Sequence, residues 1–96
     1  MRTVRVGPLP DRAIDAAAAF HSKPVPLEGD VVLVFTPASY EHRGWRLAAV
    51  QNLARAAAPA RVNGVVGDDE QAIAATLAWL DQAPGVTGQL LSVEPG

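Results

Sequence analysis

A chain of 96 residues has room for one domain, and at that size a large share of the surface stays in water. The formal charge is −2, with seven arginines and one lysine scattered or paired, so no basic stripe exists for nucleic acid or an anionic membrane. Cysteine is absent, which excludes disulfides, thiolate chemistry and cysteine-ligated metal, and no segment approaches the ~20 apolar residues of a membrane span.

The opening "RTVRVG" alternates Arg2 and Arg5 with inward-capable Val4 and Val6, and Gly7-Pro8 ends it, which predicts a short edge strand. In "PDRAIDAAAAFHSK" Ile14, Ala17, Ala18 and His21 share one helical face, with Asp11 as the expected N-cap. Two prolines and a glycine make "KPVPLEG" a connector. "DVVLVFTP" differs in kind, because Val31 to Phe35 are apolar without alternation, the pattern of a central strand buried on both faces.

A second helix is expected from about Ser39, with Trp45, Ala49, Leu53 and Ala57 at helical spacing and Pro59 closing it. "ARVNGVVG" reads as a third strand. Asp68 is expected to cap the helix "DEQAIAATLAWLDQ", with Gln71 completing a capping box and Ile73, Leu77 and Leu80 on its inner face. "APGVTG" is a turn and "QLLSVE" the last strand. Strands alternating with helices imply crossover connections and a parallel sheet.

The run "RVNGVVG", the helix "EQAIAATLAWL" and the ending "GVTGQLLSVEPG" together resemble the C-terminal third of the short-chain dehydrogenase/reductase family. There a strand of the form R-V-N-x-V-x-P-G precedes a helix and V-T-G-Q-x-L-x-V-x-x-G. The resemblance covers Leu47 to Gly96, with Asp30 to Arg46 a looser continuation. It implies an α/β fold: a small four-stranded, mostly parallel sheet with three helices, half of a Rossmann-like short-chain dehydrogenase fold, as one truncated domain over 1–96. It further implies that the last helix crosses to the opposite face of the sheet and that Asn63 tethers neighbouring backbone.

The family's chemistry does not carry over with the motif. Its acid/base tyrosine needs a lysine four residues later to lower the phenol pKa, yet Arg43 and Leu47 stand at those positions, and Tyr40 is followed by Gly44. Thr36 falls near the family's serine. A dinucleotide fold also needs a G-x-G-x-x-G turn, which is missing; Gly64 and Gly67 precede a helix that begins with Asp68, Asp69 and Glu70, acids that repel phosphate and complement the helix dipole. No cofactor and no catalytic residue is therefore expected, and His21 and His42 lack partners at metal spacing, so no metal is expected either.

The densest polar cluster is "SYEHRGWR", after the carboxyl end of the central strand, where open α/β sheets bind ligands. Thr36, Ser39, Tyr40, Arg43 and Arg46 are candidate ligands for a small anion, a phosphate- or acyl-bearing metabolite. The alternative is that Ser39 is an N-cap, Trp45 is core and the arginines are solvated. A third possibility is a reductase subunit completed by another chain. The leading expectation is a soluble, cytoplasmic, non-catalytic relative working through protein association. Much of its apolar content is alanine, which buries little area. If one helix must cover the second face of the sheet alone, an apolar remainder is left for a homo-oligomer or a related larger chain. Trp45, Ala49, Leu53 and Trp79 are the candidate interface residues.

Overall fold

A computed structural model describes residues 1–94. The order is β1 (Arg2–Arg5), α1 (Ala13–His21), β2 (Val31–Phe35), a 3-10 turn (Tyr40–His42), α2 (Arg43–Ala57), β3 (Val62–Val66), α3 (Glu70–Asp81) and β4 (Leu90–Ser92). The strands lie side by side in sequence order and every pairing is parallel. This is the α/β, Rossmann-like arrangement that the alternation of elements predicts. The family-like ending continues past Glu94 into Pro95 and Gly96, which lie outside the described residues.

The apolar run Val31–Phe35 does what its composition requires. All five residues are buried, with Val31, Leu33 and Phe35 on one face of the sheet and Val32 and Val34 on the other. The first face meets α1 and α2 through Phe20, Ala49 and Val50, and Val25 and Leu27 of the irregular connector close over its margin. The second face meets α3 through Ile73 and Leu80, with Leu77 at the edge. Because the strands advance in one direction while α3 lies opposite α1 and α2, the last crossover has the opposite hand to the first two. The Cα radius of gyration is 12.6 Å, against about 12.5 Å for a closed domain of this length.

Three local expectations are corrected. Helix α1 turns Ala16 and Phe20 inward, leaving Ile14 69% exposed; the set Ile14, Ala17, Ala18, His21 is not its buried face. The reason is Phe20, whose ring finds Phe35 and Trp45 at centroid distances of 6.0 and 5.5 Å and so sets the helix phase. Its N-cap position is Arg12 rather than Asp11, with no side-chain cap. The cap of α3 is Asp69, not Asp68: its carboxylate accepts from the Ala72 amide at 2.8 Å, which shifts the cap one residue past the expected capping box.

Among the described residues, no bare apolar remainder arises on the β1 side of the second face. Helix α3 covers Val32, Val34 and Val65, and the strand beyond its reach, β1, presents Thr3 and Arg5 to that side. These need no apolar cover. Arg5 instead reaches Glu70 in the first turn of α3 with two hydrogen bonds of 2.8 and 2.9 Å, an exposed pair that contributes at most about 1 kcal/mol.

The family-like segments are laced together by side chains. Asn63 donates to the Val86 carbonyl at 2.9 Å and accepts from the Gln89 amide at 3.0 Å, and the Thr87 hydroxyl accepts from the Val62 amide. Gly88, at φ 72°, supplies the left-handed turn between these contacts. Gly64 is a packing glycine: a Cβ there would lie 2.8 Å from Leu90 Cδ1 and 2.9 Å from Val50 Cγ2, so its absence lets α2 and β4 close on β3.

Candidate functional site

At the carboxyl ends of β1 and β2 the chain leaves the sheet through two irregular segments, Gly7–Asp11 and Thr36–Ser39, and between them opens a cleft of about 660 Å³. Arg46 forms part of its lining. The inward stripe of α2 runs His42, Arg46, Ala49, Val50, Leu53, at the three- and four-residue spacing of one helical face. Arg46 thus projects from the first turns of the helix into the core, and the residue is 6% exposed. Its guanidinium lies 4.8 Å from the centre of the Phe35 ring and 5.8 Å from that of Trp45, a cation held over two aromatic faces.

Its polar partners are few. Nη1 donates to the Thr36 carbonyl at 2.9 Å, while Nε is buried with no acceptor. Among the described residues no carboxylate pairs with it. Burial without a counter-charge pulls the Arg46 pKa below its ordinary value, although a guanidinium keeps its proton in a protein. A buried cation with an unmet donor costs free energy unless something else meets it.

His42 organises the rest of the wall. Its Nδ1 lies 3.1 Å from Trp45 Nε1 and its Nε2 2.8 Å from the Asp11 carbonyl. An indole N–H only donates and a carbonyl only accepts, so His42 accepts at Nδ1 and donates from Nε2. It ties the segment before α1 to the first turn of α2, joining the two sides of the cleft. The sequence places His42 in the polar cluster after the central strand without giving it a partner; the signal for its actual place is its spacing of three and four from Trp45 and Arg46. Among the described residues no three His, Cys, Asp or Glu side chains come together as a metal site.

The other candidates are distributed around Arg46. Thr36 is exposed on the large cleft and contributes its carbonyl to Arg46. Ser39 stands at the N-cap of the 3-10 turn, but its hydroxyl meets Glu41 at 3.2 Å rather than a helix amide. Tyr40 is 86% exposed. Arg43 is exposed and lines a second cleft of about 120 Å³ with Ser39, Tyr40, Arg46 and Ser92. Arg46 is common to both clefts, so the reading in which both arginines are solvated is corrected for Arg46. Of the candidate interface residues, Ala49 is fully buried, and Trp45 and Leu53 pack into the chain's own core; only Trp79, at 56% exposure, is open to another chain. Its place on the inward face of α2, against the sheet, removes Ala49 from any surface in this fold.

The strand-to-helix turns do not fit a dinucleotide. Pro8 and Pro10 lack amide hydrogens in the turn after β1, the turn after β2 has no glycine before Gly44, and Asp69 already occupies the Ala72 amide at the start of α3. Gly67 is explained by packing, since a Cβ would stand 2.7 Å from Val93 Cγ2 and 3.1 Å from the Val93 carbonyl oxygen.

A family model described as short chain dehydrogenase-like protein matches residues 4–93. No curated protein and no solved structure matches the chain. The relationship carried in the sequence by Leu47 onward therefore extends back through β2 and α1 into β1. Sheet order, the helix on the opposite face and the laced Asn63–Gln89 turn accompany that match, and the chain belongs to the short chain dehydrogenase-like family.

Proposed function

We propose that this chain is a non-catalytic short chain dehydrogenase-like protein that binds a small anionic ligand at the carboxyl edge of its sheet. The observation that carries the reading is Arg46: buried, 4.8 Å from the Phe35 ring and 5.8 Å from the Trp45 ring, bordering two clefts, with an unmet Nε donor and, among the described residues, no carboxylate paired with it. An anion there supplies the counter-charge that the fold withholds, in surroundings where a charged hydrogen bond is stronger than in water.

The test is thermal stability and titration calorimetry with butyrate, phenylacetate and inorganic phosphate, for the native protein and Arg46→Met. A probe at 100 times its dissociation constant should raise native stability by about 2.7 kcal/mol. Arg46→Met keeps an apolar stem of similar length and should weaken binding at least about 30-fold, the effect of removing one partner of a desolvated charge pair. Without ligand the variant should be as stable as the native chain or more so, because it no longer buries an unpaired charge. Equal binding by the variant, or no binding of any probe by the native protein, would sink the proposal.

Association is a second reading, favoured by the exposed indole of Trp79 on α3. Large aromatic side chains that expose most of their area are enriched at interfaces. Sedimentation at micromolar concentration should then give about twice the monomer mass, and Trp79→Ser should return it to the monomer. A monomeric native protein at high concentration would overturn this reading while leaving anion binding intact.

A further inference from the structure

The two clefts beside Arg46 differ in size and in the chemistry of their walls. The larger is walled by Val6, Pro8, Leu9 and Pro10 on one side and by Phe35 and Pro37 on the other. Its volume of about 660 Å³ lies in the range of sites that enclose a small organic molecule. Its charged groups are Arg46 against two carboxylates, Asp11 and Glu41, while both ring nitrogens of His42 are already engaged in hydrogen bonds. Two carboxylates beside the one cation disfavour a dianion more than a singly charged ligand. The apolar walls offer a body of such a ligand area to bury, and prolines offer it without a competing backbone donor.

Resting on the anion-binding reading, we infer that the ligand is a monocarboxylate with an apolar body, its carboxylate at the Arg46 guanidinium and its body along Pro8, Leu9, Pro10 and Pro37. A phosphate monoester is the excluded class. The guanidinium supplies N–H donors in a planar fork suited to a carboxylate. Asp11 and Glu41 set the discrimination.

The experiment compares acetate, butyrate, hexanoate and octanoate by calorimetry on the full chain, with hexanamide and hexyl phosphate as controls. Affinity should rise about fourfold per methylene until the cleft is filled. Hexanamide should bind at least 10-fold more weakly than hexanoate, and hexyl phosphate should bind more weakly at pH 8, where it is a dianion, than hexanoate does. Leu9→Ser should flatten the chain-length series while acetate affinity holds. The native series decides the matter even if that variant folds poorly. An affinity independent of chain length, or tighter binding of hexyl phosphate, would overturn the inference and leave Arg46-dependent anion binding standing. Loss of Arg46 dependence across the whole series would instead remove both.

Discussion

Replacing Phe35 with alanine is expected to remove about 3–5 kcal/mol of unfolding free energy. The ring is 1% exposed at the carboxyl end of β2 and meets Phe20 at a centroid distance of 6.0 Å and Trp45 edge-on at 6.0 Å, with Arg46 over its face. No neighbour can collapse into the space, because α1, α2 and β3 all lean on the same ring and β3 is already at closest approach at Gly64, 3.4 Å from Phe35 Cε2 by its would-be Cβ. The substitution also leaves the Arg46 cation without one of its two aromatic faces. For a domain of this length total stability is about 5–15 kcal/mol, so the variant loses about a fifth of it or more, and its melting temperature should fall by at least about 12 °C. A fall of less than about 4 °C would show that Phe35 is not the centre of the α1/α2 core.

Arg61→Ala is expected to cost about 2–4 kcal/mol. The side chain is 13% exposed and joins three elements: Nη1 donates to the Leu80 and Ala83 carbonyls at the end of α3, at 2.8 and 2.7 Å, while Nε and Nη2 meet the Asp30 carboxylate at the start of β2. The Leu80 and Ala83 carbonyls already accept from the Ala83 and Val86 amides, and Arg61 adds a charged donor to each while its positive charge faces the negative end of the helix dipole. Lysine should not restore the loss, since a point charge cannot replace the fork. Retention of native stability in Arg61→Ala would show that the tie between α3 and β2 is dispensable.

The same contact sets an acid sensitivity. The Arg61 backbone amide at 2.7 Å, together with the guanidinium, holds the Asp30 carboxyl below the usual carboxylate value, against an opposing contribution from burial. A depressed carboxyl stabilises the fold fully above its unfolded pKa of about 3.9 and stops doing so as pH falls through the lower folded value. Unfolding midpoints should therefore drop below about pH 4, and Asp30→Asn should flatten that part of the profile. An unaltered acid limb in Asp30→Asn would assign the sensitivity to other carboxyls.

Element order, the parallel sheet and the fully buried β2 were legible in the sequence, because each rests on a local signal: an apolar run without alternation at Val31–Phe35, helical spacing of Ile73, Leu77 and Leu80, and turn residues between them. That Asn63 tethers neighbouring backbone was legible only through the family resemblance of its motif; the structure shows the partners to be Val86 and Gln89. Tertiary structure alone decided which stripe of the alanine-rich α1 faces inward. Four alanines present nearly equal faces, and the choice falls to where one distant aromatic ring packs. It also decided that β1 needs no cover on its second face, a matter of how far α3 reaches across the strands. Above all it decided the state of Arg46. Position on an apolar stripe was visible in the spacing from His42 to Leu53, but spacing does not say whether a long cation bends out to water or is enclosed. That depends on Phe35 and Trp45 lying against its guanidinium and on no carboxylate among the described residues pairing with it, both set by chain segments brought together only in the folded sheet.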